Sequence, residues 1–174
     1  IIATQFDNLP NLFLTGTGTR VLPNKDLTIC KRLVIDGPAL DNSVNNSRLT
    51  VLGAMERYNA GTFKSGSGVS PASTVIFAGT TAQTLGGPTG DFSGSNRFNN
   101  LEINNTAGLT IGANGLIEIS NELLLTQGII NTTSANRLTL LSPSTDAVIP
   151  AGGSATSYVS GPLIKSVANG ENFL

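Results

Sequence analysis

Residues 98–141 read FNNLEINNTAGLTIGANGLIEISNELLLTQGIINTTSANRLTLL, and they carry the strongest fold signal in the chain. Its apolar residues occur in short bursts, and the bursts are separated by Asn, Gly, Ser and Thr. Within a burst the apolar residues are two positions apart, as in the pairs Leu101/Ile103, Leu109/Ile111, Ile117/Ile119, Leu123/Leu125 and Leu138/Leu140. A period of two predicts β-strands of about three to five residues that bury one side, with tight bends between them.

A slower repeat is superimposed on this alternation. Its length is 21 or 22 residues, measured over these pairs: Leu101 and Leu123, Leu109 and Ile130, Ile117 and Leu138. Three short strands in each repeat of this length indicate a parallel β-helix, also called a β-solenoid, which we expect to be right-handed. The alternative is an antiparallel β-sandwich, which predicts spacings of about 8–12 residues without the slower repeat.

The same rhythm extends over the rest of the chain, so we predict a single solenoid segment over residues 1–174. It has about seven or eight coils, a length of roughly 35–40 Å, and a loop insertion at residues 86–97. The further strand positions are Leu12/Leu14 with Val21, Leu27/Ile29 with Leu33/Ile35, Leu49/Val51 with Phe63, Val75/Phe77 with Leu85, and Val148 with Tyr158/Val159 and Leu163.

The charge and composition exclude several classes of function. Ten basic and eleven acidic side chains give a net charge of -1, which argues against binding to nucleic acid or to an anionic membrane surface. No run of apolar residues is long enough to span a bilayer, so we expect no membrane insertion. With no His and one Cys, we predict no internal disulfide and no zinc site. Cys30, within LTICKRLVI, is interpreted as a buried structural thiol.

Motifs for catalysis or for cofactor binding are missing from the sequence. The Gly-rich stretches at residues 16–19 and 66–69 are interpreted as turns, because neither belongs to a phosphate-binding motif. None of the four lysines has the SxxK spacing of a Ser–Lys dyad: Lys25, Lys31, Lys64 and Lys165. The chain is therefore predicted not to be an enzyme, with no catalytic, cofactor-binding or metal-binding residues.

Some β-helices act on polysaccharides, which requires carboxylates or aromatic rings grouped on one face. Glu102 and Glu118 are predicted to point outward from different sheets, so they cannot act together. The segment DGPALDN at residues 36–42 lacks the spacing of a calcium loop and is interpreted as a solvated turn. Tyr58 and Phe92 are predicted to be exposed on loops, as two isolated rings rather than a platform for sugar stacking.

The Asn-rich segments are interpreted structurally. Asn99/Asn100 and Asn104/Asn105 are predicted at tight bends, because Asn tolerates left-handed backbone angles and bonds to neighbouring amides. Asn side chains on successive coils could also form ladders. Glycosylation sequons begin at Asn45, Asn104 and Asn131.

Three phrases occur in a characteristic order: TVIFAGTTAQTLGG at residues 74–87, the stretch at 98–132, and SYVSGPLIKSV at 157–167. Together they resemble the repetitive β-helical regions of large secreted surface proteins of the Bacteroidota, which are typically adhesin-like and exported by the type IX secretion system. The resemblance covers residues 61–174. It implies export, a cell-surface location and an extended scaffold within a longer chain, and it carries no catalytic motif.

These observations predict a structural or adhesive cell-surface module, a rigid rod that spaces or presents other domains or forms part of a surface fibre. The alternative is a polysaccharide-binding or polysaccharide-cleaving β-helix. The expected partners are neighbouring domains of the same longer chain, surface glycans, or further copies joined end to end through unpaired strand edges.

Overall fold

The alternating bursts form a parallel β-solenoid of about seven turns in the computed structural model, which describes residues 8–87 and 91–168. Two short 3-10 helices, Gly94–Asn96 and Thr145–Ala147, interrupt the strands. The strands are β1 (Asn8–Leu14), β2 (Thr19–Val21), β3 (Leu27–Asp36), β4 (Ala39–Asp41), β5 (Leu49–Val51), β6 (Ala54–Tyr58), β7 (Thr62–Lys64), β8 (Thr74–Phe77), β9 (Gln83–Leu85), β10 (Phe98–Asn104), β11 (Leu109–Ile111), β12 (Ile117–Asn131), β13 (Leu138–Leu140), β14 (Val148–Ile149), β15 (Ser157–Ser160) and β16 (Leu163–Lys165).

The slow repeat in the sequence corresponds to the register between coils. The predicted partners are paired in the structure: Leu101 with Leu123, Leu109 with Ile130, and Ile117 with Leu138. Every pairing between the strands of the described residues is parallel, so the β-sandwich alternative is wrong. Each coil therefore lies on the one before it.

Each coil has three faces. Face 1 contains β5 and β8, face 2 contains β6 and β9, and face 3 contains β4 and β7 in its N-terminal half and β13 and β16 in its C-terminal half. The longest strand, β12, runs through all three: it pairs with β13 at its start, with β10 and β14 in its middle, and with β11 and β15 at its end. Strands of about three to five residues were predicted, and for β1, β3, β10 and β12, which have 7 to 15 residues, this is wrong. A register shift after Ile103 lets the chain bend while it stays extended.

The core is a set of apolar columns that run along the solenoid axis. In face 1, successive coils contribute residues that are at most 1% exposed: Leu27, Leu49, Val75, Leu101 and Leu123. One coil cannot bury such a row, whereas stacked coils bury it continuously. The hydrophobic effect thus stabilises the stacking itself, at about 25 cal/mol for each Å² of apolar surface removed from water.

The coils are not of equal size. Leu49 pairs with Val75 on the next coil, and Val75 pairs with Leu101 on the coil after that. Each of these two coils therefore has 26 residues. The step from Leu27 to Leu49 is 22. The longer coils carry loops at their corners, such as residues 65–73. The register between strands on successive coils is unchanged by these loops.

Residues 88–90 of the loop predicted at residues 86–97 lie outside the described residues, and residue 92 of the same loop belongs to the core. Phe92 was predicted to be exposed, and this is wrong: its exposure is 0% and its backbone bridges to Ile117. Its ring packs against Phe98 with the centroids 5.0 Å apart and against Phe63 with the centroids 6.2 Å apart. An aromatic cluster of this kind fills the core where the wider coil leaves space.

Candidate ligand groove on the outer surface

An open groove of about 400 Å³ lies on the outside of face 2. It crosses three successive coils, with Glu56 and Tyr58 on the first, Gly86 on the second, and Gly112 and Asn114 on the third. In the described part of the chain, no group of three or more His, Cys, Asp or Glu side chains is placed to hold a metal ion.

The register of face 2 explains why the groove exists. Met55, Leu85 and Ile111 are stacked and point inward, so the residue after each points outward. The residues after them are Glu56, Gly86 and Gly112, of which Gly86 is buried. Two coils with glycine at this position therefore follow the coil with the glutamate. A Cβ at Gly86 would lie 3.5 Å from the backbone of Gly112, so the trough is open to solvent at Gly112 rather than at Gly86.

The two glycines of the floor differ in what the backbone requires. Gly86 has φ +132°, a conformation that residues with a side chain rarely adopt. Gly112 has no such angle, and a Cβ there would lie 3.5 Å from the carbonyl oxygen of Leu85, an ordinary contact. The fold thus requires glycine at Gly86 but not at Gly112.

A polar cluster closes one end of the groove. Tyr58 donates its hydroxyl to Glu56 Oε2 at 2.8 Å, and Arg32 donates from Nε to the same oxygen at 3.1 Å. Arg32 also donates from Nη2 to the Tyr58 hydroxyl and lies over the Phe13 ring, 5.9 Å from its centroid. None of these hydrogen bonds uses Glu56 Oε1.

The cluster shifts the titration of Tyr58. Its hydrogen bond to Glu56, partial burial and the negative charge of Glu56 raise the pKa of the tyrosine hydroxyl, and the Arg32 charge opposes them. Tyr58 was predicted to be exposed on a loop, whereas it is the half-buried last residue of β6. Its strand position gives the ring a fixed place beside the groove.

The segment at residues 36–42 is not a solvated turn, as was predicted. After the corner at Gly37 the chain forms β4, and Asp41 is 7% exposed at its end. Burial opposes ionisation of this carboxylate. Hydrogen bonds from the Ser43 hydroxyl and amide, together with Lys64 at 3.7 Å, outweigh it and lower the pKa of Asp41.

Asn99 and Asn100 have a structural role, but not at tight bends as was predicted. Asn99 and Asn100 are not at left-handed bends but are buried on β10, where both donate to the carbonyl of Gly68 in the 65–73 loop. Positive φ angles occur instead at Asn46, Asn59 and Asn114 and at Ser73. Asn121 donates to Asn100 Oδ1 at 2.9 Å, which is a one-step side-chain ladder between coils.

The second Asn pair divides between surface and core. Asn104 is exposed, while Asn105 is 1% exposed. Asn105 Nδ2 donates at 2.8 Å to the carbonyl of Thr81 and to Gln83 Oε1, and its Oδ1 accepts from the amide of Ala107 at 2.9 Å. Asn105 thus ties its corner to the coil before it. Of the other sequon residues, Asn45 donates to the carbonyl of Leu22 and Asn131 is exposed.

The remaining candidates do not meet at one site. Glu102 accepts from the Thr126 hydroxyl on face 1, and Glu118 accepts from the amide of Gly94 beside face 3, so the two carboxylates are on different faces, as predicted. Cys30 is half-buried, and the prediction of a buried thiol is wrong. Because Ile29 points inward, the next residue on the strand points outward.

Within residues 8–87 and 91–168, no helix has the length and apolar character needed to cross a membrane. Comparison of the chain with protein-family models, with curated proteins and with solved structures finds no match in any of the three.

Proposed function

We propose that this protein is a rigid structural module of the cell surface, a rod that spaces or presents other domains or forms part of a surface fibre. The observation that supports it is the unbroken apolar column of face 1, which keeps its register through coils of different length. Bending such a rod separates stacked strands and exposes apolar side chains to water, so stiffness follows from the stacking.

Side-chain bonds along the outside support the same proposal. The loop at residues 65–73 extends over later coils: the amide of Ser70 donates to Glu122 Oε2 at 2.7 Å, and Asn121 donates to the carbonyl of Gly68. Ser70 and Glu122 are 52 residues apart in sequence. A brace across several coils opposes their separation and stiffens that side of the rod.

A distance measurement between two spin labels tests the stiffness. With Cys30→Ser as background, labels go on the exposed residues Lys31 and Thr126, which lie at the same corner four coils apart, a rise of roughly 19 Å. We expect one narrow distance distribution at 4 °C and at 37 °C. A broad or temperature-dependent distribution would contradict a rigid spacer.

The surface location rests on the resemblance to secreted Bacteroidota proteins. Protease treatment of intact cells that express the full-length protein tests it, since a surface rod or its attached domains are released or cut. Protection in intact cells, with cleavage after lysis, would overturn the proposed location. A screen for release of reducing ends from polysaccharides tests the structural role, and clear turnover would overturn it.

A further inference from the structure

We propose that the face 2 groove binds a neutral sugar residue of an oligosaccharide. The proposal is independent of the rod function, because a rigid scaffold can carry this site or lack it. The groove crosses three coils, which is roughly 10 Å along the axis, and is open to solvent. An extended chain of sugar rings fits such an open trough better than an isolated small molecule that needs enclosure.

The lining of the groove matches the two kinds of surface that a sugar ring presents. The C–H groups need an apolar surface, which Tyr58, Gly86 and Gly112 in the lining can supply. The hydroxyl groups need a few fixed polar partners. Glu56 and the exposed residue Thr84 lie in the same lining and can supply them.

The carboxylate of Glu56 selects among sugars. An ionised carboxylate accepts hydrogen bonds and donates none, so it favours sugar hydroxyls and repels an acidic sugar. Its Oε2 already accepts from Tyr58 and Arg32, which hold the side chain in one orientation. The side chain of Glu56 is 17% exposed, so it can be reached from solvent. A neutral sugar is therefore the ligand class that the groove fits.

Gly112 supplies an independent argument. Its backbone would accept a side chain without strain, and an ordinary contact with Leu85 is all that a Cβ would meet. A side chain at this position would project outward into the trough. The fold does not need glycine at Gly112, so the open floor at this position has no explanation in the fold alone.

A second groove of similar size has a different lining. It has a volume of about 470 Å³ and is lined by Thr106, Gln127, Gly128, Ile129 and Thr156. Among these described residues there is no aromatic ring and no charged group, so they offer neither a stacking surface nor a carboxylate acceptor. Size is similar in the two grooves, and the chemistry differs.

Nuclear magnetic resonance titration of the whole chain tests the proposal. The probes are cellohexaose, xylohexaose, maltohexaose and chitohexaose, with hexagalacturonate as an anionic comparison. We expect at least one neutral hexasaccharide to shift the amide signals of Gly86, Gly87 and Gly112, and hexagalacturonate to leave them unchanged. Gly112→Leu should weaken binding at least tenfold, and Glu56→Gln and Tyr58→Leu should each weaken it several-fold.

Ala135→Leu is the matched control, because it adds the same side chain at an exposed position outside the groove. It should bind like the wild type. The proposal is overturned if no neutral probe shifts the groove amides at millimolar concentration, or if Gly112→Leu binds as well as Ala135→Leu. It is equally overturned if hexalysine shifts these amides and the sugars do not, since the groove would then be a site for basic peptides.

Discussion

Arg57 holds Asp91 by two bonds, from Nη2 to the carboxylate at 2.8 Å and from Nε to the backbone carbonyl at 2.8 Å. The guanidinium also donates from Nη1 to the carbonyl of Gly61, and Arg57 is 8% exposed. One buried cation therefore connects the corner after β6 to the segment that brings Phe92 into the core.

We expect Arg57→Met to lower the free energy of unfolding by about 3 kcal/mol, because two backbone carbonyls lose their donor and the Asp91 carboxylate keeps only the Ser93 hydroxyl. Urea denaturation measures the change. Asp91→Asn should cost less, about 1 kcal/mol, since the backbone carbonyl still accepts. The exposed Arg137→Met is the control, and an equal loss there would show that the effect is not specific to this contact.

Because the face 1 column is buried on one side of the sheet, inward and outward leucines on β10 and β12 should differ in how much they contribute to stability. Leu101 is 0% exposed and Leu124 points outward, half-buried. Leu101→Ala should cost about 2–5 kcal/mol, because the stacked coils cannot close the cavity. Leu124→Ala should cost about 1 kcal/mol or less. Equal losses for the two variants, measured by urea denaturation, would argue against a buried column on one side of the strand.

Adjacent asparagines provide a second matched pair. In Asn105→Asp the carboxylate would face two acceptors, the carbonyl of Thr81 and Gln83 Oε1, in place of the amide that donates to both. We expect a loss of about 3 kcal/mol at neutral pH. Asn104→Asp, at an exposed position, should change stability by about 0.5 kcal/mol or less. Thermal unfolding of both variants checks the difference, and a stable Asn105→Asp protein would contradict the proposed tie.

The columns could be predicted from sequence because two short-range signals agree. The period of two identifies the inward residues, and the spacing of Leu101 and Leu123 gives the size of a coil without a loop. The burial of Phe92 could not be predicted in this way. Gly, Ser and Asp surround it in the sequence, so it has no apolar neighbour two positions away. It is buried because Phe63 and Phe98 leave a place for its ring.

The groove was missed for a related reason. Glu56, Gly86 and Gly112 are 30 and 26 residues apart, which does not match the 21- or 22-residue repeat. Corner loops of unequal length change the spacing in the sequence while the strands keep their register. The same applies to Asn100, whose partner Gly68 lies in a loop that no local pattern directs to β10. The sequence signal for the groove was a glycine directly after an inward-facing residue on two coils, at Gly86 and at Gly112.

The carboxylate of Asp41 predicts a dependence of stability on acid. Its pKa is lower in the folded chain than the ordinary value of 3.8, so it stabilises the fold at pH above that value. The contribution is lost as the pH falls through the folded pKa. Urea denaturation between pH 5 and pH 2.5 should therefore show a smaller loss of stability in Asp41→Asn than in the wild type. Ser43→Ala, which removes one donor, should give an intermediate slope, and identical slopes would contradict the assignment.

The raised pKa of Tyr58 predicts that stability is lost as the pH rises, at alkaline pH. Its pKa is above the ordinary value of 10.0, so its contribution to stability is present below that value and is lost as the pH rises through the folded pKa. The chain has two tyrosines, and Tyr158→Phe leaves Tyr58 to be followed by the ultraviolet absorbance of its phenolate. In that background we expect a midpoint above 10.0, and a lower midpoint when Glu56→Gln removes the negative charge beside the hydroxyl. A midpoint at or below 10.0 in the folded protein would show that the Glu56–Tyr58 hydrogen bond, which fixes the wall of the groove, does not form in solution.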